Sequence, residues 1–129
     1  MLIERHILNL EESDEVIREC IEKGIAKRQR TIGFNTSAAA ADMIEILLHK
    51  KRLIDPGFLV KHEWFNSDRK IKEKFPFDFD RKDEIIGIIK KIEGKRNMLC
   101  YGKQQKDEVI RDVLLNYQKL KEIYDELVK

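Results

Sequence analysis

Cysteine and proline are scarce in this chain, with two of each among 129 residues, alongside six glycines and one tryptophan. Cys20 and Cys100 lie too far apart for a metal-ligand or redox spacing, so two buried thiols rather than a disulfide are expected. Charge of one sign is also missing. Twenty-six basic residues stand against 24 acidic ones, a formal net charge of +2. The chain as a whole is therefore no polycation, and any nucleic-acid binding must come from a local patch. No apolar run approaches membrane-spanning length, and the stretch Met1 to His6 lacks the long apolar core of a signal peptide. A soluble, cytoplasmic protein with no membrane attachment is the expectation. Gly-rich phosphate loops, nucleophile elbows, zinc-knuckle cysteines, internal repeats and convincing strand pairs are absent as well.

What is present is charge and helical periodicity. Charged residues make up 39% and aromatics 8%, the balance of a helical protein with charged outer faces, and the length suits one domain over residues 1–129. A first helix is expected from Asn9 or Ser13, since Asn9 and Glu12 have capping-box spacing. Its stripe Val16, Ile17, Cys20, Ile21, Gly24 and Ile25 runs into a basic end at Lys27 to Arg30. A second helix, capped by Asn35 or Thr36 after Gly33, carries Ala38 to Ala41 and the stripe Ile44, Leu47, Leu48 to about Arg52. The four alanines permit close approach of a neighbour. Asp55-Pro56-Gly57 reads as a turn, and Phe58 to Asp80 is a long connection with one or two short helices. A third helix starts at Asp80, with Asp83 and Glu84 in its acidic first turn and a break risked at Gly94. A fourth, Lys106 to Val128, has Ile110, Val113, Tyr117, Leu120, Tyr124 and Leu127 three and four residues apart. The expected fold is all-α, an up-and-down four-helix bundle with one or two short extra helices in its long connection.

One stretch sets polarity against periodicity. Ile85, Ile88, Ile89 and Ile92 form an apolar stripe whose continuation by four and then three residues lands on Arg96 and Leu99. A guanidinium on that stripe needs a partner, because an unpaired buried charge costs several kcal/mol. Six basic residues between Lys90 and Lys106 (Lys90, Lys91, Lys95, Arg96, Lys103, Lys106) surround it against Glu93 alone. Two readings stand side by side. In one, Arg96 pairs with an acid on a neighbouring helix, Asn97 caps the helix end and Tyr101 packs its ring. In the other, Arg96 clamps a phosphate, Asn97 orients it, Tyr101 donates to it, and Lys95 and Lys103 add substrate contacts. On a continuous helix Tyr101 would lie about 140° from Arg96, so convergence requires the helix to stop between them, and Gly102 is a natural stop.

Arg96-Asn97-Met98-Leu99-Cys100-Tyr101-Gly102, between two long amphipathic helices, resembles the signature of the HEPN superfamily (higher eukaryotes and prokaryotes nucleotide-binding). There an arginine, a polar neighbour, a short apolar spacer and a histidine precede the final helix. Ala38 to Arg52 is similar to the Ala-rich second helix of small prokaryotic members. The resemblance implies a helical homodimer with a shared cleft that binds RNA or a nucleotide. Many members are metal-independent ribonucleases, toxins whose antitoxin partner is a small nucleotidyltransferase; others only bind. Carried over, Arg96 takes the arginine position, Asn97 the polar one, and Tyr101 that of the histidine. An ordinary phenol ionises near pH 10, about 10 against about 6.5 for imidazole, so Tyr101 is a poor base at neutrality. Either the activity is weak, another group supplies the base, or the chain only binds. No cofactor and no metal are implied.

Asp42, Glu45 and His49, at i, i+3 and i+7, share one helix face and have the chemistry to ligate a divalent metal. An exposed polar face with a Glu–His pair is the expected reading. His62, Glu63 and Trp64 offer either a wet patch, part of the cleft, or a partly buried structural cluster, the last being expected. His6 has no identifiable partner.

Overall fold

The computed structural model describes all residues, Met1–Lys129, and contains only helices and connections. Five α-helices follow in order: α1 (Ile3–Lys23), α2 (Gln29–Lys50), α3 (Asp68–Lys74), α4 (Lys82–Tyr101) and α5 (Asp107–Leu127). Short 3₁₀ turns at Ile25–Arg28 and His62–Asn66 precede α2 and α3. No helix is long and apolar enough to cross a membrane.

α2 is the central helix, in contact with α1, α4 and α5. It is buried on most of its circumference, through Ile32, Thr36, Ala39, Ala40, Met43, Ile44, Ile46, Leu47 and Leu48. Ala39 and Ala40 provide the close approach expected of the alanine run. One core unites α2 with Ile85, Ile88, Ile89 and Ile92 of α4 and Tyr117, Leu120 and Ile123 of α5. A second, smaller one joins Cys20, Ile32, Leu99, Ile110 and Val113. The long connection folds over the first through a nest of rings. Phe75 stacks on Phe65 at 5.4 Å and meets Phe58, Trp64 and Phe77 edge-on, and Ser67 caps α3 by accepting from the Lys70 amide.

Three boundaries differ from expectation, each for a packing reason. α1 begins at Ile3, so Asn9 and Ser13 lie inside it. Ile3, Ile7 and Leu10 already face the core and His6 fills the position between them, so burial outweighs the capping signals. α1 ends at Gly24, whose φ of 108° few L-residues tolerate, and the basic run Lys27 to Arg30 therefore leads into α2 instead of closing α1. α2 begins before Gly33. Asn35 and Thr36 donate back to the carbonyls of Thr31 and Ile32 as ordinary in-helix residues. Gly33 is a contact, not punctuation: a Cβ there would lie 2.9 Å from both Cys100 Sγ and Leu99 Cβ.

α4 runs through Gly94 without a break and begins two residues after Asp80. A Cβ on Gly87 or Gly94 would meet nothing within 4 Å. Gly94→Ala is therefore expected to stabilise the fold by about 0.5–1 kcal/mol, visible as an upward shift in a urea melt with unchanged m-value.

Both cysteines are free and buried, and burial pushes both thiols above their ordinary range, opposed at Cys100 by Arg96 and Arg30. Since the thiolate is the reactive form, neither is expected to alkylate in the native protein at pH 8. The urea-unfolded chain should take up label at both, and rapid native labelling would contradict the packing.

Candidate functional site

The end of α4 is held by a glutamine rather than by ions. Buried Gln29 donates from Nε2 to the carbonyls of Leu99 (3.2 Å) and Lys103 (3.0 Å), and its Oε1 accepts from the Gln105 amide at 2.7 Å. This fastens the α4–α5 loop to the start of α2. Gly102 caps α4 with extended backbone and donates to Met98 O. A Cβ there would press on that carbonyl at 2.5 Å, so glycine is required by close approach.

Helix α4 stays helical to Tyr101, so the stop expected between Arg96 and Tyr101 is absent. The two side chains meet through a third. Arg96 Cζ lies 5.2 Å from the Phe34 ring centre, and Tyr101 packs edge-on against the same ring at 5.8 Å. Arg30 covers both rings, at 5.3 Å from Phe34 and 5.9 Å from Tyr101. The result is a ladder of two guanidiniums and two rings, with Arg30 and Tyr101 exposed and Arg96 and Phe34 half-buried. Arg96 has no salt bridge, and its one hydrogen bond runs to Asn97 Oδ1 at 3.4 Å. The acid partner of the first reading is thus missing, and Asn97 is an exposed mid-helix residue, not a cap.

Beside the ladder, Arg96 and Phe34 line a cleft of about 490 Å³ with Asn35, Ser37, Val60 and His62. One turn before Arg96, Glu93 is 5% exposed. One of its oxygens lies 2.6 Å from His62 Nδ1 and the other accepts from Ser37 Oγ at 2.8 Å. His62 thus lies between two carboxylates, Glu93 at Nδ1 and the exposed Glu63 3.5 Å from Nε2; an Nδ1–H donated to Glu93 would leave a lone pair on Nε2 at a partly exposed position. Tyr101 lines a neighbouring cleft with Lys27, Arg30 and Gln104. Lys95 is half-buried and Lys103 exposed on the loop; neither touches the His62 cleft.

His62, Glu63 and Trp64 divide. Trp64 joins the aromatic nest, while His62 and the exposed Glu63 turn to the cleft. Arg30, Phe34, Ser37 and Glu93 were not singled out by spacing, since they reach Arg96 or His62 only through folding. The one local signal was Glu93, an acid three residues before Arg96 in an otherwise basic segment.

The face carrying Asp42, Glu45 and His49 is not an exposed polar face. Glu45 is buried, Asp42 and His49 are half-buried, and His6 of α1 inserts among them. His6 Nδ1 lies 2.7 Å from Asp42 Oδ1, and Val60 N donates to Glu45 Oε1 at 2.5 Å. Burial raises both carboxyls above their ordinary range and lowers His49 below its own.

No protein-family model matches the chain, and no curated protein and no solved structure matches it.

Proposed function

We propose that this chain is a HEPN-type RNA-binding protein, built as the up-and-down four-helix bundle of that superfamily, which cleaves RNA without a catalytic metal. The observation that carries this reading is an arginine without an acid partner and a carboxylate-oriented histidine lining one cleft. The Arg30–Phe34–Arg96–Tyr101 ladder supports it, because guanidiniums suit phosphates and exposed rings suit unstacked bases.

In the proposed reaction His62 Nε2 takes the proton of a ribose 2′-hydroxyl. The O2′ attacks the adjacent phosphorus, the P–O5′ bond breaks, and the products end in a 2′,3′-cyclic phosphate and a 5′-hydroxyl. Arg96 stabilises charge on the phosphoryl oxygens, and Asn97, in contact with the guanidinium, orients it. Tyr101 supplies the leaving oxygen with a hydrogen bond or proton from its phenol O–H. The substitution of tyrosine for histidine then marks a change of base, from the motif itself to His62. Lys95 and Lys103 add long-range attraction to the strand. Homodimerisation and a small nucleotidyltransferase partner follow from the resemblance, and light scattering of the purified chain tests the first.

A binding module without turnover is favoured by one observation, that Tyr101 opens onto the neighbouring cleft. Incubating a labelled oligoribonucleotide with wild type, Arg96→Ala and Tyr101→His separates the two. Product from wild type that Arg96→Ala abolishes supports cleavage. Saturable binding lost in Arg96→Ala, without product from any of the three, selects the module. Binding by Arg96→Ala as tight as wild type overturns both.

A further inference from the structure

The polar cluster between α1 and α2 gathers two imidazoles and two carboxyls at one buried point. Asp42 Oδ1 holds His6 Nδ1, and Val60 N–H holds Glu45 Oε1. Three atoms are left buried and without a hydrogen-bond partner: His6 Nε2, Glu45 Oε2 and His49 Nε2. His6 and Glu45 are 4% and 3% exposed. Their unpartnered atoms face each other across an ion-pair contact that has no hydrogen-bond geometry. His49 Nε2, with neither hydrogen bond nor ion pair, carries a desolvation cost of about 1–3 kcal/mol. A buried imidazole nitrogen and carboxylate oxygen pressed together without a hydrogen bond, with His49 Nε2 unpartnered beside them, leave a ligand's place.

The geometry points to a divalent metal site of the zinc class, with His6 Nε2, Glu45 Oε2 and His49 Nε2 as its three protein ligands. The ligand atoms of these residues all lie within 4.8 Å of one another. Donors around a tetrahedral zinc at about 2.0–2.1 Å stand about 3.4 Å apart, so a bound metal would part the closely approaching His6 Nε2 and Glu45 Oε2 and draw in the half-buried His49 ring. Two imidazoles and one carboxylate are a borderline donor set suited to zinc and its transition-metal neighbours rather than to magnesium or calcium, which prefer oxygen. The outer contacts are those of built metal sites, where a ligating histidine gives its other nitrogen to a carboxylate and a ligating carboxylate is itself hydrogen-bonded. Asp42 serves His6 in this way and Val60 N–H serves Glu45. His49 Nε2 is buried and has no hydrogen-bond partner.

The site joins α1 to the far half of α2. Through Glu45 it also reaches Val60, two residues before His62, so the metal would fix the segment that presents His62 without entering the RNA chemistry.

Cobalt(II) is the probe, added to the metal-stripped full chain, with zinc(II) and magnesium(II) in parallel thermal melts and no RNA present. One equivalent of cobalt is expected to give the visible d–d bands of a four-coordinate N/O site. Zinc at a hundredfold excess over Kd is expected to raise Tm by at least about 5 °C, with magnesium inert. His49→Ala and Glu45→Gln, each confirmed folded by circular dichroism, should lose both responses, and His62→Gln should keep them. Absence of a cobalt band and of a zinc shift in the folded wild type overturns the proposal, as does undiminished binding by His49→Ala. So does a His6 ring that nitrogen-detected NMR finds doubly protonated at pH 7 and unchanged by zinc, which would make the cluster a histidinium between two carboxylates.

Discussion

His62→Gln is expected to slow RNA cleavage by about 10²–10⁴-fold, the usual contribution of a positioned general base, with little change in KM. Glutamine at this half-buried position can still meet Glu93, so the cleft keeps its shape while losing its imidazole. Arg96→Ala should lower kcat by a similar factor, through lost charge stabilisation of about 10²–10³-fold, and should also weaken binding, because the same guanidinium faces the Phe34 ring and the strand. The double variant should fall little below the worse single one, since residues acting in one step are not additive. Glu93→Gln separates positioning from chemistry. Glu93 touches no substrate in this scheme but fixes the His62 tautomer, so the expected result is a kcat at least about tenfold lower with KM unchanged. Steady-state kinetics on one oligoribonucleotide reads all four variants. Wild-type kcat in His62→Gln would return the base role to Tyr101 or remove it altogether.

Gly33→Val is expected to destabilise the protein by at least about 2 kcal/mol. The first added carbon alone would stand 2.9 Å from Cys100 Sγ and from Leu99 Cβ, and the latter is fixed to its backbone and cannot rotate away. Relief requires α4 to move off α2 near its C-terminal end, the level at which Gln29 and Phe34 of α2 meet the loop and the ladder. A urea melt should show a lower midpoint, and RNA affinity should drop although no ladder residue has been changed. Gly94→Ala, on the same helix but facing open space, should move the midpoint the other way. Equal and small shifts in the two variants would contradict the close α2–α4 contact.

These two glycines also mark how far the fold could be read from the chain. α5 was legible to within a residue or so, because Ile110, Val113, Tyr117, Leu120 and Tyr124 keep an unbroken period and all are buried. α4 was nearly so, since Gly94 costs propensity without interrupting packing. The starts of α1 and α2 were not. His6 occupies a core position with a polar ring, which hides the first two turns of α1, and Gly33 looks like a stop while serving as a helix contact. Tertiary packing overrode local signals at both.

The site divides along the same line. Arg96 was conspicuous because an arginine interrupts an isoleucine stripe, a local feature. The partners that give it meaning come from elsewhere: Phe34 and Arg30 from α2, and His62 from the long connection, held by Glu93 across 31 residues of chain while Ser37 holds Glu93 across 56. Spacing carries no trace of such pairings. The same holds for His6, which meets Asp42 across 36 residues and turns a helix face that reads as ordinary solvated charge into a buried cluster.

The most direct test of the cleft chemistry is the end-group analysis of a cleaved oligoribonucleotide by mass spectrometry, compared with the same oligonucleotide carrying 2′-deoxyribose at the cleavage position. Attack by the 2′-hydroxyl predicts a 2′,3′-cyclic phosphate and a 5′-hydroxyl from the first and no cut at that position in the second. Intact RNA with active-site residues unaltered, 5′-phosphate ends, or cleavage at the deoxy position would contradict it.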